Sequence, residues 1–242
     1  MPERLISRLL VRPQLASEDV FLFTHALIRD AIYDTLLRSR RRELHQRAAE
    51  WYADRDPVLR AEHLDRAEDP KAAQAYLVAA RSQATEYRQE AALQLVERGL
   101  ALASDQIDRF SLMRLKGEIL HDLGSMPEAG RAYQAALEAA ADDRERCTAW
   151  IGLAAVKRVT DDLAGAVADL EQADAVAVRH CLLAEQARVH FLRGNLCFPR
   201  GDLDGCLREH AIGLELAKRA GATELKATRS AASATPSTFA DG

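Results

Sequence analysis

The chain has 242 residues, of which 48% are hydrophobic and 29% charged, a composition typical of a soluble globular protein rather than a disordered one. Its net charge of -4 argues against a dedicated nucleic-acid binder, because such proteins normally carry a basic surface. Only 12 glycines and 7 prolines are available for turns, so the composition favours helices over an all-β fold. No apolar run approaches the roughly 20 residues that a membrane-spanning helix needs, and we expect no membrane contact.

Cysteine usage and the N-terminal residues indicate the compartment. The four cysteines, Cys147, Cys181, Cys197 and Cys206, form no CxxC pair. Scattered among Ala-rich helical segments, they are predicted to be buried thiols in a reducing compartment rather than disulfides or a zinc site. The first ten residues lack the apolar core of a signal peptide. These observations predict a cytoplasmic location.

The only stretch typical of β-strands lies near the N-terminus. Two apolar runs, residues 9–11 and 20–23, are separated by a polar segment that contains Pro13 and Asp19. This pattern predicts a hairpin with a long loop.

Two helices are predicted to follow the hairpin. Thr24 is suited to cap the first, because apolar residues follow it at helical spacing. The second is predicted over residues 39–52, with Leu44, Ala48 and Trp51 on one face. The segment 54–57 then ends it.

The rest of the chain repeats one pattern four times: a small residue, a bulkier residue four positions later, and a second small residue three positions after that. The steps between successive leading residues are 37, 37 and 40 residues, and another small residue lies twelve positions before each. The leading residues are Ala92, Ala129, Ala166 and Cys206, and the earlier small residues are Ala80, Gly117, Ala154 and Gly194.

This spacing predicts a stack of helical hairpins. Two helices approach closely only where both carry small side chains, so small residues on either side of a short turn let each hairpin close. Bulky neighbours, namely Leu115, Trp150, Tyr133 and Leu170, would then fill the space toward the next hairpin. Because each hairpin still exposes an apolar face, the hairpins must stack.

The repeats resemble tetratricopeptide (TPR) repeats, most closely over residues 115–136. They depart from that family in their length, since TPR repeats have about 34 residues, and in lacking the helix-ending proline. The resemblance implies an all-α fold, a right-handed α-α superhelix of TPR-like hairpins.

A second resemblance covers residues 5–220. Residues 21–37, which begin Phe-Leu-Phe-Thr-His-Ala-Leu, and residues 41–45, Arg-Arg-Glu-Leu-His, are similar to a stretch of bacterial multidomain signalling (STAND-type) AAA ATPases and of adenylate-cyclase-associated or LuxR-type regulators. In those proteins a winged helix joins the ATPase module to the repeats. The resemblance implies a winged-helix remnant over residues 1–55 and repeats over residues 58–222. Residues 223–242 are expected to form a disordered tail, because almost no large apolar residue follows Leu225 until Phe239.

His25 is the one candidate cofactor-binding residue. In the wider ATPase class, a histidine at this position contacts the phosphates of bound ADP, so the resemblance implies nucleotide sensing with a P-loop domain supplied by another chain. A helix N-terminus suits a phosphate chemically. The alternative is that His25 only bonds locally and orients the hairpin.

The sequence contains no catalytic or metal-binding constellation. There is no GxxxxGK[ST] motif, no HExxH and no GxSxG, so we expect a non-enzyme with no cofactor and no metal. The acidic pairs at 142–143 and 161–162 are predicted to cap helices rather than to catalyse. The basic run at residues 38–42 is predicted to be a solvated helix junction rather than a DNA-binding surface.

The expected function is a non-catalytic interaction and regulatory module, the sensor arm of a signal-transduction ATPase or transcriptional regulator. Its concave face would bind a protein, a peptide or a small effector through first-helix residues near Arg114, Glu118, Lys157 and Arg193. One alternative is a nucleotide-dependent component that needs a P-loop partner. Another is a decayed or frameshifted gene fragment, because Met1 falls just before the hairpin and the tail is atypical of the repeats.

Overall fold

The chain folds into two compact units, Met1–Ala75 and Tyr76–Gly242. The structure is a computed structural model that describes the backbone of residues 11–14 and 17–233 and the side chains of residues 23–221. The division differs from the one expected between residues 55 and 58, because the helix that follows residue 56 packs against the helix before it in the first unit.

The first unit begins with a two-stranded antiparallel ribbon, as predicted. Strand β1 spans Val11–Gln14 and β2 spans Ser17–Phe23, with Val11 opposite Phe23 and an irregularity between Pro13 and Gln14. The prediction of a long polar loop is wrong, because most of the segment between residues 11 and 20 belongs to the two strands. Backbone pairing, rather than side-chain polarity, sets how far a ladder extends. Residues 9 and 10 lie outside the described residues.

Three helices complete this unit: α1 (Ala26–Thr35), α2 (Arg38–Trp51) and α3 (Pro57–Arg66). The N-cap of α1 is His25, not Thr24 as predicted, and the His25 side chain makes no capping hydrogen bond. The start of α3 is capped by Asp56, whose carboxylate accepts hydrogen bonds from the amides of residues 58 and 59 at 2.9 and 3.0 Å.

The face of α2 that carries Leu44 and Trp51 is not its buried face. Its buried residues are His45 and Ala49, whereas Leu44 and Trp51 are exposed. The reason is tertiary, because α2 packs against α3 with the face that carries His45. Trp51 is instead covered on one side by the Arg55 guanidinium, which lies 3.9 Å from the ring centroid.

A histidine pair joins the three helices of this unit. His45 Nδ1 lies 2.8 Å from His63 Nδ1, and His45 Nε2 lies 2.9 Å from the Tyr33 hydroxyl. Tyr52 stacks on the His63 ring with the centroids 5.6 Å apart. Burial lowers the pKa of both imidazoles, and the nearby Arg66 guanidinium lowers each further. A hydrogen bond between two ring nitrogens needs one donor and one acceptor, so the pair requires at least one neutral ring.

We expect the stability of the first unit to fall on acidification because of this pair. Above the ordinary histidine pKa of about 6.5 both states are neutral, and the pair contributes fully. As the pH falls from there toward the lower folded-state pKa, the unfolded chain binds more protons, so the free energy of unfolding decreases. Trp51 fluorescence in a Trp150→Phe background, followed in urea at pH 8 and pH 5.5, measures this loss. His45→Gln should flatten the pH dependence; an unchanged dependence would contradict this origin.

The basic run at residues 38–42 lies at a solvent-exposed helix junction. Arg38 pairs with Glu68 at 2.5 Å, and Arg42 Nε donates to the Ala67 carbonyl at 2.9 Å. The Arg41 guanidinium lies 5.2 Å from the centroid of the Tyr33 ring. These side chains therefore contact their own unit.

Four antiparallel helical hairpins follow, and the boundary between the two units falls within the first of their helices. The hairpins are α4 (Ala72–Thr85) with α5 (Gln89–Leu102), α6 (Gln106–Asp122) with α7 (Met126–Ala139), α8 (Asp143–Val159) with α9 (Leu163–Arg179), and α10 (Leu183–Cys197) with α11 (Leu203–Ser233). A short 3-10 helix, Phe198–Arg200, lies before α11.

The small-residue pattern coincides with the closest packing of these hairpins. Within the first three hairpins the small residues on both helices are buried, and Ala92, Ala129 and Ala166 are fully inaccessible. In the fourth hairpin Gly194 is buried, and Cys206 is half-buried. The predicted architecture of repeated helical hairpins is therefore confirmed.

Each hairpin turns through one residue in the left-handed region, always five positions before the leading small residue. These residues are Tyr87, Gly124, Asp161 and Gly201, with φ of 60°, 79°, 64° and 71°. Two of the four positions thus carry a side chain in a conformation that costs an L-residue about 1–2 kcal/mol.

Tyr87→Gly should therefore stabilise the second unit by about 0.5 to 1 kcal/mol, after allowing for the extra freedom of glycine in the unfolded chain. The Tyr87 side chain is 90% exposed, so little packing is lost. Gly124→Ala is the reciprocal control and should destabilise by about 1 kcal/mol, since an added Cβ meets no atom within 4 Å and only the backbone conformation changes. Urea unfolding measures both. A destabilised Tyr87→Gly variant would contradict the assignment.

Asp142 and Asp162 cap α8 and α9 as predicted, by accepting hydrogen bonds from the amides three residues later.

The prediction of four buried cysteines is wrong: Cys147 is buried, but Cys181 is exposed because it occupies a turn with φ of 53°. Helix α11 continues to Ser233 where disorder was expected from residue 223, since strong helix formers fill much of residues 222–227. Residues 234–242 lie outside the described residues.

Candidate interaction groove

A groove of about 1050 Å³ lies within the second unit. The first helices of the second, third and fourth hairpins line it, together with α11 and one side chain from α7. Its apolar side chains include Ile151, Phe191, Leu192 and Leu214, and its polar side chains are Glu118, His121, Asp122, Tyr133, Arg188 and His210.

Tyr133 reaches the groove by passing between two neighbouring first helices. A Cβ placed on Gly117 would lie 2.9 Å from its ring, and one placed on Gly152 only 2.3 Å. Both positions must therefore be glycine for the ring to fit, and the ring is 5% exposed. Burial raises the pKa of Tyr133 far above its ordinary value, and Glu118 raises it further, so the phenol stays neutral at physiological pH.

Charges gather where Tyr133 meets the groove. Arg114 pairs with Glu118 along α6, and the positive charge of Arg188 favours ionisation of the Tyr133 hydroxyl. His121 Nδ1 lies 3.8 Å from Asp122 Oδ1, and its buried Nε2 has no hydrogen-bond partner among the described residues. The groove thus offers charged and hydrogen-bonding groups beside its apolar walls.

The apolar wall of the groove is open to solvent. Phe191 is 56% exposed and Leu214 58% exposed, although both line the concave surface. The Phe191 ring contacts the His210 ring with the centroids 5.1 Å apart. Exposed apolar side chains in a concave site with a few convergent polar groups are typical of a binding site.

The structure separates the four residues expected near the concave face. Glu118 lines the groove, and Arg114 contacts it through Glu118. Lys157 and Arg193 do not line this groove: each pairs with an aspartate of α9, at 2.7 and 2.9 Å respectively. These two cations hold helices together.

Sequence reasoning missed the groove residues of α10. Ala184, Arg188 and Phe191 share one helical face at spacings of four and three residues, and that spacing was readable. The sequence does not indicate which face of α10 its neighbouring helices leave open.

His25, the candidate nucleotide-sensing residue, lies in the first unit. Its side chain is exposed at the N-terminus of α1, and its carbonyl accepts hydrogen bonds from the amides of Ile28 and Arg29. Nothing in this arrangement tests a contact with a nucleotide.

Within residues 23–221, no group of three or more His, Cys, Asp or Glu side chains is placed to hold a metal ion. No helix in the described part of the chain is both long enough and apolar enough to cross a bilayer.

No protein-family model matches the chain, and no curated protein matches it. Solved structures are similar in fold. The chain aligns with a structure of MamA from Desulfovibrio magneticus RS-1, covering residue 41 to its end, with a TM-score of 0.54 at 16% identity, over 74% of this chain and 96% of that one. A MamA RS-1 double mutant gives 0.53 at 16% identity with the same coverage, and another MamA structure gives 0.53 at 12% identity, over 74% and 93%. MamA is a TPR-like helical repeat protein, so the right-handed, all-α superhelix of TPR-like hairpins is confirmed.

Proposed function

We propose that this chain is a non-catalytic interaction module whose groove binds a peptide segment of a partner protein. The observation that carries the proposal is the groove itself, which is about 1050 Å³ in volume and lined by consecutive hairpins. Its half-exposed Phe191 and Leu214 suit apolar anchors of a peptide, and Arg188 and His121 suit its polar groups.

The size and openness of the groove favour a peptide over a small effector. Its walls come from four helices and from Tyr133, so a ligand must extend across several hairpins to contact all of them. Small-molecule sites of 300–1000 Å³ typically enclose most of the ligand, whereas this groove opens along one side. A small effector stays the second candidate for the same surface.

Peptide selection tests the proposal directly. A displayed library of random 12-residue peptides is selected on the full chain, and the enriched peptides are measured by fluorescence anisotropy. Ala155→Arg places a long side chain in the groove and should weaken binding at least tenfold. Phe191→Ala should do the same, since truncation of a central anchor commonly costs about 2 kcal/mol or more.

Phe198→Ala is the matched control, because Phe198 is 69% exposed and does not line the groove. It should leave peptide affinity unchanged. Enriched peptides that bind Ala155→Arg as tightly as the wild type, or no enrichment at all, would contradict the proposal. Circular dichroism of each variant checks that the helices are retained.

We further propose that the module acts as the sensor arm of a signalling ATPase or transcriptional regulator. The resemblance at residues 21–37 and 41–45 supports this role, and so does a β-ribbon followed by helices in the first unit. The test is co-purification of the chain with a P-loop ATPase domain and a change in ATPase rate when an enriched peptide is added. An ATPase rate that depends on neither the chain nor the peptide would contradict the signalling role.

The nucleotide-sensing role of His25 is a separate proposal. Its exposed side chain belongs to the N-cap residue of α1, a position suited to a phosphate supplied with a P-loop partner. ADP affinity of the mixture should fall when His25→Ala replaces the wild-type chain. Equal affinities would leave His25 with only its local backbone role.

A further inference from the structure

The second helix of each inner hairpin carries apolar residues that pack toward the next hairpin. In each of these helices they occupy two of three positions, which we call stacking positions: three before, one after and eight after the leading small residue. Leu93 and Leu100 of α5 share an apolar cluster with residues of α6, and Met126 and Leu137 of α7 share one with residues of α8. Leu163 and Val167 of α9 share one with Val189 and Leu196 of α10.

Helix α11 has leucine at all three stacking positions, yet no described hairpin follows it. Leu203, Leu207 and Leu214 are 61%, 70% and 58% exposed, whereas Leu163 and Val167 are only partly exposed. Spacings of four and seven residues place the three leucines on one face of the helix, with the exposed Ala211 between them. An inner stacking surface is thus repeated at the end of the array without a cover among the described residues.

The inner interfaces show what kind of element covers such a surface. At the third hairpin the cover is α10, a 15-residue helix that contributes Val189, Leu196 and the partly buried Leu192. An ion pair also crosses this interface, because Arg193 of α10 lies 2.9 Å from Asp174, the residue eight positions after Ala166. In α11 the equivalent residue is Leu214, so the covering helix needs an aliphatic side chain where α10 has Arg193.

We propose that the stacking face of α11, formed by Leu203, Leu207, Ala211 and Leu214, binds an amphipathic α-helix from another polypeptide. That helix packs on α11 as α10 packs on α9. Three leucines and one alanine fall short of the roughly 800 Å² per partner that a stable dimer buries, so a single helix fits this face better than a second copy of the chain. Of these four residues only Leu214 also lines the groove, so the two surfaces meet at that residue.

A peptide derived from α10 tests the proposal. The probe is a fluorescein-labelled peptide of residues 183–197 that carries Arg193→Leu to match Leu214 and Cys197→Ser to prevent oxidation. It should bind the full chain saturably in an anisotropy titration, and Leu207→Lys in the chain should weaken that binding at least tenfold. The peptide that keeps Arg193 should bind more weakly, because its guanidinium would face leucine instead of aspartate.

Ile107→Lys provides the matched control, since Ile107 is 63% exposed in the first turn of α6, much as Leu203 is in α11. It should leave binding of the probe unchanged. The absence of saturable binding, or equal weakening by Ile107→Lys and Leu207→Lys, would overturn the proposal. Weakening by the groove variant Ala155→Arg but not by Leu207→Lys would place the probe in the groove and also overturn it.

Sedimentation velocity tests whether a second copy of the chain covers this face instead. The wild-type chain and Leu207→Lys should sediment alike, with the face free in both. A wild-type dimer that Leu207→Lys converts to a monomer would show that a second copy covers the face, and that result would replace the proposed helix with self-association.

Discussion

Gly152→Ala should destabilise the second unit by about 2 kcal/mol, although alanine is the better helix former. The added Cβ would lie 2.3 Å from the Tyr133 ring, well inside van der Waals contact. The ring cannot move aside easily, because it is buried and Gly117 confines its other side. Overpacking of this kind costs about 1–3 kcal/mol or more, which exceeds the gain of about 1 kcal/mol in helix propensity.

Gly130→Ala is the control with the opposite expected sign. This glycine is also helical, but its added Cβ would meet the nearest atom, of Val156, at an ordinary 3.6 Å. The same substitution should therefore stabilise by about 0.5 to 1 kcal/mol. Urea unfolding followed by Trp150 fluorescence in a Trp51→Phe background measures both variants.

A double variant tests whether the Tyr133 ring causes the stability loss of Gly152→Ala. Tyr133→Leu in the Gly152→Ala background removes the ring that the Cβ meets, so the double variant should lose less than the two single losses added together. Strict additivity, or a Gly152→Ala variant as stable as the wild type, would show that Tyr133 does not confine this position. The Gly152→Ala variant should also bind groove-binding peptides more weakly, because the displaced Tyr133 ring lines the groove.

Leu170→Ala should cost about 3 kcal/mol of the free energy of unfolding of the second unit. Leu170 is 1% exposed and belongs to the apolar cluster shared by the third and fourth hairpins. Its truncation removes apolar contacts and leaves a cavity, and such changes typically cost 2–5 kcal/mol. Stacked repeats contact only their neighbours, so the loss should weaken the junction between these two hairpins most.

Leu207→Ala makes the same chemical change at an exposed site. Leu207 is 70% exposed on α11, one position after the leading small residue Cys206. Its truncation should change stability by less than about 0.5 kcal/mol. Urea unfolding of both variants measures the contrast, with hydrogen exchange locating the weakened helices. Equal losses of unfolding free energy would mean that the α11 face is covered in solution. The proposed helix-binding surface would then not be free.

The spacing of small residues predicted the repeats well because that signal depends on few neighbours. Helices cross closely where side chains are small, and Ala80 with Ala92, or Ala154 with Ala166, mark such crossings whatever lies further away. Residue spacing does not identify the buried face of α2, because Leu44 and Trp51 share one face of the helix and both are exposed. Polar contacts of His45 with Tyr33 and His63 orient that helix instead, and they depend on residues 12 and 18 positions away.

The sequence alone determined that this protein is a series of helical hairpins, how long each repeat is, and that each must stack, because side-chain volume at fixed spacing sets how closely paired helices approach. Only the tertiary structure decided that Tyr133 passes between Gly117 and Gly152, and that Arg188 and Phe191 share the groove while Lys157 and Arg193 pair with α9. It also decided which stacking face no other described residue covers. The face of a helix that stays open depends on which neighbours cover the others, and the pattern within one helix does not record its neighbours.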